Sequence, residues 1–258
     1  MNKEILNRAF TKDSIFEYKC PHCYSATLRP DGEFRSVETE ESKSEHHEDW
    51  WEPEMIRLAF STSLKCVDCR ETVFVVGRGS VEEEIIPDDN GDWDRQYSEV
   101  YTPSYFHPPL QLIDYPASTP KEVILPLSTA CELFFSSPAA CCNSVRTAAE
   151  VILSHLGIPE KNGRNFIPFG NRVKLLPDDQ KNVKELFHAL KVLGNHGSHP
   201  GTEMVHDDAI HALEITEFIL EEVYGTRRAE VQKLARVINA RQSPLGRLYK
   251  WLLKNTDV

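Results

Sequence analysis

Two Cys-x-x-Cys pairs, Cys20-Pro-His-Cys23 and Cys66-Val-Asp-Cys69, constrain this chain more than any other feature. Each pair brackets a tight turn whose backbone N–H groups can hydrogen-bond the sulfurs, and two such knuckles close a tetrahedron around zinc. Strand-like stretches flank both pairs: residues 14–19 and 26–29 around the first, 58–64 and 71–76 around the second. An Asp31-Gly32 turn and a further strand-like stretch over 33–37 follow the first knuckle. The 42 residues between Cys23 and Cys66 exceed the usual ribbon spacing, and the acidic run 38–54 accounts for the excess as a loop insertion. Redox use of Cys-x-x-Cys needs the motif at the start of a helix in an α/β setting, which is absent here. Four thiolates leave no open coordination position, so the expected Zn(2+) is structural. His46-His47, beside Glu45, Glu48 and Asp49, offers a second set of ligand types but reads first as a solvated loop.

Paired knuckles favour metal over disulfides in a reducing compartment. Residues 1–16 lack the apolar core of a signal peptide, and no apolar run reaches the roughly 18 residues that cross a bilayer. A cytoplasmic location and no membrane partner are the expectation. The other cysteines, Cys131, Cys141 and Cys142, sit in helix-like apolar surroundings and are expected as small buried hydrophobes. Charge is uneven: residues 1–119 hold 12 Lys+Arg against 24 Asp+Glu, whereas residues 225–258 hold 8 against 2. An acidic N-terminal module repels a phosphate backbone, which directs any RNA or nucleotide to the C-terminal half.

The texture of the chain predicts an α+β protein in four parts. Residues 1–84 form the small β zinc ribbon with its acidic insertion. Residues 85–119, with Pro87, Pro103, Pro108, Pro109 and Pro116 among several tyrosines, read as an extended connector lying against a surface. Residues 120–225 read as an all-α bundle. Its segments run from Pro120 to near Ser136, from Pro138 (with Ser137 as N-cap) to Leu156, from Pro177 to about Leu193, and from Asp207 to Tyr224. Residues 226–258 form a basic amphipathic helical tail with Val231, Leu234, Ala235 and Ile238 on one face and a break at Ser243-Pro244.

Two polar groupings interrupt the apolar helices. Arg146 and Glu150 lie one turn apart on one helix face. Lys191, Asn195 and His199 would share a face if their helix continued through Gly194 and Gly197, but two glycines and Pro200 predict a helix end bending into a compact loop. His155, His188, His206 and His211 lack ligand spacing and are expected at the surface or its boundary. The arrangement Arg146-x-x-x-Glu150 followed by Gly194-Asn195-x-x-x-His199 resembles the domain-of-unknown-function family 4145, over roughly residues 120–225. That family is similar to the HEPN superfamily of helical-bundle domains of prokaryotic defence and toxin systems, many of them dimeric, metal-independent ribonucleases.

The resemblance implies a catalytic set in which Asn195 takes the polar position and His199 the histidine, with Gly194 standing where the family has arginine. Arg146 or Lys191 would then supply the cation, Glu150 would hold Arg146, and His199 would serve as general base or acid on a ribonucleotide. The alternative reading is structural: an internal Arg146–Glu150 ion pair, Asn195 as helix C-cap and His199 bonded to a backbone carbonyl, tying two helices together. Three functions follow. The first is a noncatalytic binding or adaptor protein in antiviral defence against foreign nucleic acid, homodimeric and docking a protein partner. The second is a metal-independent endoribonuclease, and the third a structural scaffold docking through the ribbon.

Overall fold

The computed structural model describes residues 5–6, 8–87, 93–177, 180–196 and 204–241. The molecule is mixed α+β: an antiparallel sheet in the N-terminal half, then a helical half, with seven α-helices among the described residues. The strands are β1 (Leu28–Pro30), β2 (Arg35–Glu38), β3 (Arg57–Cys66), β4 (Thr72–Pro87) and β5 (Trp93–His107). They follow the order β1-β3-β4-β5, with β2 also paired to β3. Strict alternation makes β3 a half-buried strand: Leu58, Phe60, Thr62, Leu64 and Cys66 point inward and the residues between them outward.

The acidic run 38–54 is more ordered than a loop insertion. It contains helix α1 (Glu40–Glu45), N-capped by the Thr39 side chain on Ser42 N, and a 3-10 turn at Pro53–Met55. Ser42 is fully buried there; its hydroxyl donates to Glu38 and accepts from Arg57 N, pinning α1 to the sheet.

The segment 85–119 departs further from the expected connector. Residues 93–107 are β5, paired antiparallel with β4 from Pro87↔Trp93 to Phe74↔His107. The prolines exclude a helix, but an edge strand tolerates them, and Pro103 sits where the register shifts beside Gly77. Gly77 is required by close approach: a Cβ there would lie 2.3 Å from Thr102 O and 2.5 Å from Phe60 Cε1. Against this bare stretch the rings of Phe10, Phe34, Phe60 and Tyr101 cluster, Phe34 stacking on Phe60 at 5.2 Å. Each such ring pair contributes about 0.5–1.5 kcal/mol beyond area burial.

The helical half comprises α2 (Lys121–Leu133), α3 (Pro138–His155), α4 (Phe169–Lys174), α5 (Lys181–His196), α6 (His206–Tyr224) and α7 (Arg227–Arg241), with a small hairpin of β6 (Lys161–Asn162) and β7 (Asn165–Phe166). The Ser137 hydroxyl accepts from Ala140 N and Pro138 opens α3 as expected, while Gly157, at φ +80°, follows its end. Cys131, Cys141 and Cys142 are buried free thiols, and burial raises all three above the ordinary value. Helix α5 runs through Gly194 to His196 rather than ending near Leu193, so Asn195 is a helical residue and not a C-cap. The Ser243-Pro244 break lies outside the described residues.

One hydrophobic core joins the halves. Tyr18 packs on Phe106, Phe106 on Phe135, Phe135 on Phe134, and Phe134 on His206, whose ring bonds the Phe135 carbonyl. Leu110, Leu112 and Ile113 are buried between them. Among the described residues no helix is long and apolar enough to cross a membrane.

Candidate metal centre and helical polar cluster

Two β-hairpins meeting side by side build the cysteine cluster. In the first, Cys20 N donates to Ala26 O and Leu28 N to Tyr18 O; in the second, Cys66 N donates to Glu71 O. The hairpins are stitched by β1 on β3, with Leu28 opposite Cys66, and by Val67 N donating to Thr27 O. Tyr24 and Arg70, each the residue after the second cysteine of a knuckle, adopt left-handed backbone at φ 59° and 66°. These turns bring together sulfurs that are 43 and 49 residues apart in sequence: Cys23–Cys66 and Cys20–Cys69 each stand at 3.6 Å.

All four sulfurs lie within 4.8 Å of one another, and all are free thiols. Metal–sulfur bonds of about 2.3 Å in a tetrahedron require sulfur–sulfur edges of about 3.8 Å, close to the 3.6 Å of these two pairs and far beyond a disulfide. The cluster can therefore hold a metal ion. Its thiols are unequal: the Ser25 backbone N–H, then the Ser25 hydroxyl and Ala26 N–H, bring Cys23 down to about 6. Burial pushes Cys20 up, against hydrogen bonds from the backbone N–H groups of Cys23 and His22. At Cys69 the Glu71 N–H favours the thiolate, but burial and the three neighbouring sulfurs outweigh it and push the thiol to about 12. An ion would discharge this crowding by taking all four as thiolates. His46 is engaged elsewhere, its Nε2 2.7 Å from Glu38 with its ring against Trp51, and the cysteines are the one such ligand group among the described residues.

In the helical half, Arg146 on α3 reaches both ways. Its Nε donates to Glu150 Oε1 at 3.2 Å, its Nη1 donates to Asn195 Oδ1 on α5, and its guanidinium lies 5.5 Å from the Phe169 ring centroid on α4. Gly194 explains the close approach of α3 and α5, because a Cβ there would stand 2.8 Å from Arg146 Cδ and 2.9 Å from its Cβ. The Arg146 stem thus occupies the space that a side chain at position 194 would need. Lys191 lies on the other side of α4's first turn, where a Cβ on Gly170 would sit 2.8 Å from its Cε. Arg146, Glu150 and Asn195 are therefore brought together, Lys191 stands beside them against α4, and His199 lies outside the described residues.

Reading the sequence missed Arg172. It is 1% exposed, and its Nη2 donates to Ser154 Oγ at 2.8 Å and Ile158 O at 3.0 Å, locking α4 to the end of α3. Its only signal was position: in Phe-Gly-Asn-Arg-Val it falls on the face of Phe169 and Val173. Of the histidines, His155 bonds the Tyr224 hydroxyl at 3.0 Å and His206 the Phe135 carbonyl, both ordinary packing roles.

Comparison with known proteins divides the chain at the same place as the fold. No curated protein and no solved structure matches it. Residues 8–106, the sheet with its cysteine cluster, match the model of a domain of unknown function (DUF8608), and residues 128–242, from the second half of α2 through α7, match that of a domain of unknown function (DUF4145), the family whose motif the helical half resembles.

Proposed function

We infer that this chain is a noncatalytic binding and adaptor protein: a sheet stiffened by a structural zinc centre, fused to a HEPN-like helical domain. The engagement of Arg146 carries the reading. Its Nε and Nη1 donate to Glu150 and Asn195 and its guanidinium lies against the Phe169 face, so the side chain, 28% exposed, ties α3 to α5 and α4. The fourfold cysteine cluster supports the same reading, since four thiolates around one ion leave no site for substrate. The defence setting and the cytoplasm follow from the HEPN resemblance and the free thiols. Helix α7 leaves Val231, Leu234 and Ile238 exposed, which favours a homodimer formed through that stripe.

A metal-independent endoribonuclease is the second reading, favoured by one observation. Gly194 clears space for Arg146 at the position of the family's arginine, beside Asn195. The test is RNA cleavage in EDTA by the intact chain, with His199→Ala and Arg146→Gln alongside and circular dichroism to confirm folding. The adaptor reading expects no cleavage from any of the three. Cleavage by the wild type that disappears in His199→Ala would replace it with the ribonuclease.

A further inference from the structure

The outward face of the sheet carries a feature that the charge of its segment conceals. Paired residues on neighbouring antiparallel strands project to the same side. One row across the sheet runs Arg35, Ser61, Val76 and Tyr105; the next runs Val37, Ala59, Arg78 and Thr102; a third runs Ser63, Phe74 and His107. Phe74 is 59% exposed and Val76 45%, an uncommon state for large apolar side chains at the middle of a sheet. Tyr105 and His107 stack parallel, with centroids 6.5 Å apart and planes at 9°. Ala59 and Ser61, small side chains on β3, keep the surface between these groups low.

The cations on this face differ in their partners. Arg57 is paired with Glu45 at 2.7 Å and Lys65 with Asp31 at 3.0 Å. Arg35 and Arg78 are exposed and have no carboxylate partner among the described residues. Arg78 also stands where two open clefts meet. One, of about 370 Å³, is lined by Glu41, Arg57, Ser80 and Thr102; the other, of about 630 Å³, by Ser104, Ser136, His206 and Asp207. The acids of β4 on this side, Glu82 and Glu84, lie beyond Ser80 toward the hairpin tip. Acids do border the face: Glu41 and Asp207 each line one of the two clefts at Arg78, and Glu132 accepts from the Tyr105 hydroxyl, but none forms an ion pair with Arg35 or Arg78 among the described residues.

We propose that this face binds single-stranded nucleic acid, with Arg35 and Arg78 on phosphates and Phe74 and the Tyr105–His107 stack under bases. Unpaired guanidiniums and flat exposed rings on one open sheet are what sequence-tolerant single-strand binding needs, and a duplex, whose bases are already stacked, cannot use the rings. Strand-to-strand spacing of about 4.8 Å and a rise of about 3.3 Å per residue put Arg35 and Arg78 some 12 Å apart, a span of about two nucleotides. The site is on the sheet, not on the helical constellation, and does not depend on the adaptor reading.

The test is fluorescence anisotropy of the intact chain with labelled uridine and deoxythymidine oligonucleotides of about 12 nucleotides, the two arms separating RNA from DNA. The wild type binds at least one of them, and the Arg35→Ala, Arg78→Ala double variant weakens binding at least about tenfold and flattens the log–log salt slope by about 1.4, two phosphates' worth. Phe74→Ala weakens binding roughly fivefold or more, yet binds an abasic oligonucleotide as the wild type does. Arg164→Ala, an exposed cation in the β6–β7 hairpin, binds as the wild type. All these sheet residues are exposed, and should the alanine double variant melt early, Arg35→Gln with Arg78→Gln replaces it. No binding by the wild type at low salt, an unchanged affinity in the arginine variants, equal affinity for the duplex, or an equal loss in Arg164→Ala would each overturn the proposal.

Discussion

Replacing Cys69 by serine tests the metal centre with the least disturbance elsewhere, because Cys69 is exposed whereas Cys20 and Cys66 are buried. For a cluster that holds no ion, exchanging an exposed sulfur for oxygen is a surface change within about 0.5 kcal/mol. For a zinc centre the outcome differs. Structural sites bind with about 10–16 kcal/mol, so one ligand of four carries on the order of 3 kcal/mol, about a hundredfold in affinity. That energy belongs to folding, since the sulfurs of Cys20 and Cys69, 49 residues apart, meet only in the folded sheet. For a chain of this size 3 kcal/mol lowers Tm by roughly 6–12 °C. The assay is metal content by mass spectrometry on protein prepared without added zinc, together with melting by circular dichroism. One equivalent of zinc in the wild type is expected, with a substoichiometric content and a lowered Tm in Cys69→Ser. A metal-free wild type that melts with the variant would refute the reasoning.

Gly194→Leu should drive a side chain into Arg146 and lower stability by about 1–3 kcal/mol; Gly194→Ala, whose Cβ alone meets Arg146, should also destabilise but by less, because it gains about 1 kcal/mol of helix propensity, and urea unfolding ranks them. Arg146→Gln removes two charge-assisted hydrogen bonds between and along α3 and α5, a loss of about 2–3 kcal/mol read in the same assay. The Glu38 carboxyl is held below its ordinary value, first by the Ser42 hydroxyl and then by His46. A depressed folded-state pKa contributes stability that is complete above the ordinary carboxylate range and is lost as pH falls through the lower folded value. Glu38→Gln should therefore flatten the acid limb of a stability–pH curve and leave no difference at the lowest pH. Leu234→Glu, on the exposed stripe of α7, should convert a dimer to a monomer by light scattering; a wild type of monomer mass refutes the dimer.

The cysteine cluster was legible in the sequence because a metal-ligand knuckle is a local pattern: residue type and a spacing of three define it. Capping was legible for the same reason, and Ser137-Pro138 begins α3 as read. Strand β5 was not, because its identity lies in its partner. Tyr101, Pro103 and Tyr105 spell no amphipathic alternation of their own, and they form a strand because β4 supplies the pairing. Gly194 misled through propensity. A glycine before Asn-His-Gly predicts a helix end, yet the space between α3 and α5 requires a residue without a Cβ, and packing overrides the local cost of about 1 kcal/mol. Whole-segment charge is blind to placement: it counts acids without showing that Arg35 and Arg78 stand exposed with no ion pair among the described residues.

The junction between the two family-matched segments bears on how the metal could matter to the helical half. The residues between the matches are not a linker, since Leu110, Leu112 and Ile113 are buried and Phe106 bridges Tyr18 of the first hairpin to Phe135 at the end of α2. Tyr18 lies two residues before Cys20, and Leu28, paired to Cys66, is buried in the same core. Loss of the ion would loosen the first hairpin, and the first apolar contact to weaken would be Tyr18 on Phe106, one ring from the helices. Two separable modules would show two unfolding transitions, with chelation moving only the first. A shared core requires instead that chelation lower the transition of the helices as well, because the run of rings from Tyr18 to His206 passes from the sheet to the helices at the Phe106–Phe135 contact.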